Sequence, residues 1–534
     1  MNLARPALEG TGTLVRFALR RDRIRLPVWV AGGAVLVAEQ SLGSQAIYDT
    51  PAALAAYRAT VGTSAAAIAF AGPPVGLTTI AGAVAFEISG SVMIVAALMA
   101  MFTTGRHSRA DEEAGRTELI RSTEVGRHAP LVAAVLVSAL ACAAMALAIG
   151  GMGTLTGLPA PGSFLFGAAV GACGLVFTGV TAVTAQLSGS TRAAYGLTGA
   201  VLGVAFLLRA LGDINGNGLV WASPIGWAQA VHPFSDDRWW PLLLCAAAAV
   251  ALLAIALRLL DHRDLGAGLL SGRPGAPAAG RLLASPLGLA VRLQRAALLG
   301  WAVSLVVLGA VYGSMGDAVE SLFKDNPAAQ AFLPGTSAAG LIEAYLATIF
   351  SIDALLAAAF AVSSVLRARG EESAGRTEPV LATATSRSAW LGSHVAVALL
   401  GSGLLVVASG AATALVRASA SGNPGSFGRL FAASLAYVPA VWAVAGVAVA
   451  AVGLLPRAAA GVAWTMLGYV VVVSVFGPGL NWPGWVGDLS PFVWTPRVPV
   501  EAWTAAAAAG LCAAVVALLA VGFVAFRRRD LSTG

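Results

Sequence analysis

Residues 112–118 read EEAGRTE and residues 371–378 read EESAGRTE. Both contain Glu-x-Ala-Gly-Arg-Thr-Glu, and Gly115 and Gly375 stand 260 residues apart, about half of the 534-residue chain. Each stretch is a charged island between long apolar runs. Reading outward from the islands, twelve such runs fall at 27–46, 80–103, 130–157, 162–187, 194–212, 240–260, 297–313, 340–366, 390–416, 428–453, 458–477 and 502–526. A bilayer crossing takes about 20 mostly apolar residues. The composition agrees: 58% of residues are hydrophobic and 11% are charged, with a mean hydropathy of +0.80, where soluble domains are about 25% charged. Alternating ten-residue strands of the barrel type do not occur in the pattern. The reading is an all-α polytopic membrane protein of about twelve transmembrane helices. Ala, Gly and Val dominate the spans, as close helix packing in lipid requires.

The basic residues orient it. Arg58, Arg209, Arg238, Lys324, Arg417, Arg429 and Arg497 are the seven of 33 that fall outside alternate, cytoplasm-assigned segments, so 26 lie inside them. The positive-inside rule then places both termini in the cytoplasm of a multi-pass bacterial plasma-membrane protein. The net charge of +7 follows from the anionic inner leaflet and calls for no nucleic acid. Cys142, Cys173, Cys245 and Cys512 all fall within spans, without metal-ligand spacing, and read as packing residues.

The islands are one of four paired features. SPIGW at 223–227 answers SPFVW at 490–494, HRDL at 262–265 answers RRDL at 528–531, and Arg192 answers Arg457, at offsets of 260 to 267 residues in one order. Four ordered matches indicate a duplication. An even number of spans per half makes the repeats parallel. The halves are 1–265 and 291–534, joined by a cytoplasmic linker at 266–290 that opens on GAGLLSGRPGAPAAG.

Within the islands, Glu112 to Arg116 and Glu372 to Arg376 are spaced as i,i+4 ion pairs with the acid first. Gly115 and Gly375 are unfavourable inside a helix, so a bend or a close backbone contact is expected there. The segments RADEEAGRTELIRSTEVGR (109–127) and RARGEESAGRTEPVLATATSR (367–387) resemble the coupling helices of ABC-2-type exporter permeases. With two halves in one chain, the closest likeness is to membrane subunits of actinobacterial polyketide-antibiotic and multidrug exporters. Arg116 and Arg376 are insertions relative to the commoner Gly-Thr core of that family.

The resemblance implies coupling helices at about 105–128 and 367–388, in which Glu112, Arg116, Glu118, Glu372, Arg376 and Glu378 contact two copies of a separate ATP-binding subunit. It implies an elbow helix within 1–26, with an equivalent at 290–301, and short helices before spans six and twelve. The substrate would be a hydrophobic or amphipathic small molecule. ATP and Mg would be bound by the partner. The chain has a single Lys, Lys324, and no G-x-x-x-x-G-K-[ST] motif, so it is read as a transport subunit and not an enzyme.

Intramembrane acids are the candidates for a translocation path. Glu39 lies about 18 Å from the Pro27 end of its span, and Asp353 about 20 Å from the Leu366 end of its own, at 1.5 Å per residue. Glu87 and Glu343 lie nearer the outer boundary. An acid at such depth faces a cavity or a partner. The same residues support an alternative reading, a proton-coupled secondary transporter using Glu39 or Asp353.

Overall fold

The computed structural model describes residues 7–264, 266–270, 278, 280–316, 338–476 and 483–530. Lys324 and part of the proposed linker lie outside the described residues. The chain divides into two compact units, residues 1–274 and 275–534. The described residues include no β-strand.

In the first unit the helices are α1 (Thr11–Arg21), α2 (Arg25–Ile47), α3 (Pro51–Val61), α4 (Ala65–Ala71), α5 (Ile80–His107), α6 (Arg109–Glu113), α7 (Arg116–Arg121), α8 (Ala129–Leu155), α9 (Ala160–Leu187), α10 (Thr191–Asn215), α11 (Pro224–Gln229) and α12 (Pro241–Asp261). In the second they are α13 (Pro286–Ser314), α14 (Ala338–Ser373), α15 (Thr377–Leu381), α16 (Arg387–Ala420), α17 (Ser426–Leu435), α18 (Val438–Leu454), α19 (Ala459–Phe476), α20 (Gly484–Asp488) and α21 (Ala505–Arg528). Among the described residues eleven segments are long and apolar enough to cross a membrane, and α19 supplies a shorter apolar helix, so every expected span has its counterpart.

Boundaries differ where hydropathy and helix capping part company. The seventh span was expected at 297–313, yet α13 begins at Pro286, with the Ser285 hydroxyl accepting from the Gly288 amide. A Ser cap followed by Pro starts a helix wherever it stands, and Arg292 and Arg295 do not interrupt it. Residues 290–301, where a second elbow helix is expected, are continuous with the rest of α13. In the first unit the stretch expected to hold an elbow, 1–26, contains a separate helix, α1. The tenth span is two pieces, α17 and α18, parted at Ala436 and Tyr437 by Pro439 in the first turn of α18.

Close packing in each unit rests on small residues. Gly167 and Gly171 of α9 lie so near α8 that a Cβ would stand 2.1 Å from the Ala146 carbonyl oxygen and 2.9 Å from the Cys142 carbonyl oxygen. Gly309 and Gly313 of α13 meet the Ser409 and Thr413 carbonyl oxygens of α16 in the same way, a Cβ falling 2.6 Å from each. Spacing of four residues puts each pair on one helix face, where backbones approach closely enough for dispersion to replace the hydrophobic effect that lipid does not supply. Cys142, Cys173 and Cys245 are buried, whereas Cys512 is exposed on α21. Gly167→Val should force α8 and α9 apart and destabilise the protein by about 1–3 kcal/mol, read as a lower unfolding temperature in detergent. Gly461→Ala, in open space on α19, should leave that temperature unchanged or slightly raised.

Candidate functional site

At the Arg-rich end of each unit the chain leaves its second span and turns through the island. Gly115 and Gly375 adopt φ of +72° and +69°, with open space where a Cβ would stand. Backbone conformation, not close approach, is what requires glycine there. The turn replaces the single coupling helices expected at 105–128 and 367–388. In the first unit it separates α6 from α7. In the second, α14 runs unbroken to Ser373 before α15 begins.

The expected i,i+4 ion pairs do not form. Arg116 turns back to Asp111, with Nη2 to Oδ1 at 2.7 Å, and Arg376 to Glu371, with Nε to Oε2 at 2.6 Å. The bend carries each guanidinium away from the acid four residues before it. Glu112 and Glu372 point inward. Arg263 grips Glu112 with two parallel bonds, Nη1 to Oε1 at 2.5 Å and Nη2 to Oε2 at 2.7 Å, and the Gly266 amide adds a third at 2.7 Å. Arg529 grips Glu372 identically, both bonds at 2.6 Å. Arg109 and Arg369 each approach their Glu at 3.3 Å from the preceding turn. The side chains of Glu112 and Arg263 are 6% and 5% exposed, and those of Glu372 and Arg529 are 2% and 13%. The islands and the HRDL/RRDL motifs are thus two sides of one contact.

A second tie runs beside it. Arg127 donates to the Leu260 and Asp261 carbonyls at the end of α12, at 2.9 and 3.1 Å. Arg387, 260 residues later, donates to the Arg529 and Arg527 carbonyls at the end of α21, at 2.8 and 3.3 Å. The islands also reach the connections that carry Arg192 and Arg457. Glu113 accepts from the Thr191 amide at 2.9 Å and from its hydroxyl at 2.5 Å, and Arg369 donates to the Pro456 carbonyl at 2.9 Å. In the first unit Asp111 also accepts from Arg21 at 2.8 Å, fastening α1 to the island. None of these partners was read from sequence, although the constant offset between islands and RDL motifs was their visible trace.

What remains outward is a short face. Arg116, Glu118 and Leu119 are exposed in the first unit, and Arg376, Glu378 and Pro379 in the second. Leu119 is 72% exposed.

Glu39 is exposed on α2. Glu87 accepts from Gln40 at 2.5 Å, Ser44 at 2.8 Å and Tyr48 at 2.9 Å, a set of donors from α2 and the residue that follows it. Glu343 is paired with Arg429 at 2.5 Å. Asp353 is 2% exposed on α14, and neither carboxylate oxygen has a hydrogen-bond partner among the described residues. The buried Arg209, which the sequence left among the outer basic residues, donates to the Ile68 and Phe70 carbonyls near the end of α4, at 3.1 and 3.3 Å. The second unit also holds a cavity of about 480 Å³, with Thr348, Ser351, Tyr437, Ser474, Arg497 and Glu501 among its walls.

Comparison with known proteins decides the family. The family model described as the C-terminal domain of the multidrug efflux system permease Rv1217c matches residues 12–260 and 283–527, one segment in each unit. The chain belongs to this permease family. It is 42% identical to the multidrug efflux system permease protein Rv1217c of Mycobacterium tuberculosis (strain ATCC 25618 / H37Rv), over 98% of this chain and 95% of that one. The permease is therefore a multi-pass membrane transport subunit. Its islands now have a physical division: an inner acid held by arginine and an exposed outer face. Glu112→Gln should leave Arg263 buried without its counter-charge and cost about 3–5 kcal/mol, read as a fall in unfolding temperature and in the monodisperse yield. Glu118→Gln, on the exposed face, should change neither.

Proposed function

We propose that this permease is the membrane-spanning subunit of an ATP-driven exporter of hydrophobic or amphipathic small molecules, antibiotics and other drugs among them. It works with two copies of a separate ATP-binding subunit, which bind ATP and Mg. In this reading the island end of each unit is cytoplasmic, both termini lie on that side, and the membrane is the bacterial plasma membrane. The observation that carries the reading is the repeated outward face of the islands. In the first, an apolar side chain, Leu119, is flanked by Arg116 and Glu118; in the second, Pro379 is flanked by Arg376 and Glu378. An apolar centre within a charged rim is the ordinary anatomy of a protein interface. Two near-identical faces in one chain call for two copies of one partner. The likeness to a multidrug efflux permease supports the substrate class, and the cavity of about 480 Å³ in the second unit falls within the range that holds drug-sized molecules.

The test is affinity purification of the tagged permease from native membranes in mild detergent. An ATP-hydrolysing subunit should accompany it at two copies per permease. It should be lost from the Glu118→Lys, Glu378→Lys double variant while the permease itself remains monodisperse. A permease that purifies alone and transports without ATP overturns the reading.

A second reading rests on Asp353. A buried acid without a hydrogen-bond partner in a spanning helix is costly, and a proton-coupled transporter, with Asp353 or Glu39 as the carrier, would use one. Asp353→Asn separates the two. ATP-driven export should keep its dependence on pH in this variant. Loss of both transport and its pH dependence, in vesicles driven by a proton gradient alone, establishes the secondary mechanism.

A further inference from the structure

We propose that in each unit the island and the last span form one moving body, joined by the pairs Glu112–Arg263 and Glu372–Arg529, so that a displacement delivered at the island is passed directly to α12 or α21. These four side chains are positioning residues for transport. The inference rests on the ATP-driven reading above and adds the route by which force enters each half.

Several independent features of the structure support a joint. Each pair is bidentate and nearly closed to solvent. Parallel bonds from a planar guanidinium fix angle as well as distance, which a Lys or a single hydrogen bond does not. A second arginine reaches the same helix end from the far flank of the island, Arg127 to Leu260 and Asp261, and Arg387 to Arg527 and Arg529. The island is therefore fastened to the last span at two points, and two points suppress rotation about either one. Each last span lies at the edge of its unit, α12 packed on α9 and α21 on α18. The apolar windows of α12 and α21 are 11% and 17% buried, whereas that of α9 is 72% buried. Within its own unit each last span therefore has little protein on its outer side to oppose a displacement of its end. The arrangement occurs in both units at the same places in sequence. Burying an ion pair instead of apolar side chains yields little net stability, so its presence in both copies points to position rather than to folding energy.

The test uses the permease in complex with its ATP-binding subunits, reconstituted in vesicles. Arg263→Gln with Arg529→Gln changes no residue on the outward faces of the islands. The ATP-binding subunits should still co-purify at the normal ratio and hydrolyse ATP, but substrate transported per ATP should fall about tenfold, within the usual range of coupling between sites. Restoring the pairs in reverse, with Glu112→Arg, Arg263→Glu, Glu372→Arg and Arg529→Glu together, should recover most of that ratio, which a merely weakened fold would not do. An unchanged transport-to-ATP ratio in the Gln variant overturns the inference. If the Gln variant does not fold, hydrogen exchange on the unaltered complex decides. Protection in the last turn of α12 should change with nucleotide in step with that of α7, and a silent α12 beside a responding α7 overturns the joint. If no ATP-binding subunit accompanies the unaltered permease, the functional reading itself fails, and this outcome is distinct from a permease that binds its partner yet remains coupled without the pairs.

Discussion

A carboxylate at the end of a span must find a cation or stay in water. In this permease Glu112 and Glu372 find one across the fold, in an arginine just beyond the last span of their own half. The other contacts at that end follow from this choice. Once the inner acid is committed to Arg263 or Arg529, the arginine four residues after it must turn elsewhere. The left-handed glycine lets it reach Asp111 or Glu371. The bend then presents the next residues outward, and the flanking arginines close over the exposed carbonyls of the last span.

Helix electrostatics make the commitment necessary in the second half. Glu371 and Glu372 occupy the last turn of α14, at the negative end of the helix dipole, where an acid is disfavoured. Arg376, Arg369 and Arg529 surround them. Arginines at the C-terminal ends of α12 and α21 gain from the same dipole that penalises the acids. The pairing therefore relieves two helix ends at once. Breaking α6 away from α5, as the first half does, lessens the penalty there, yet the same arginine contact is kept.

The spans were legible because the bilayer demands a simple thing of sequence, a run of about 20 apolar residues. Their ends were not, since hydropathy reports the embedded stretch and capping reports the helix. Ser285 and Pro286 start α13 well before its apolar part, and Pro439 divides a run that hydropathy reads as continuous. The short helices α3 and α4 escaped for a related reason. They are Ala-rich and brief, and are held by contacts from far along the chain, such as Arg209 to Ile68 and Phe70, that no local pattern announces.

The site divides in the same way. The sequence alone established the solvent in which the chain folds, the duplication, and the two islands as the places where the halves repeat most closely. It also marked the RDL motifs as a second repeated pair. Whether an island acid faces a partner or its own protein was decided only by tertiary structure. A glutamate has the same composition and spacing in either case, and its charge is satisfied equally by water at an exposed face or by an arginine about 150 residues away in sequence, with Glu112 taking Arg263 and leaving Glu118 outside. Packing, which brings the end of the last span beside the island, makes that choice.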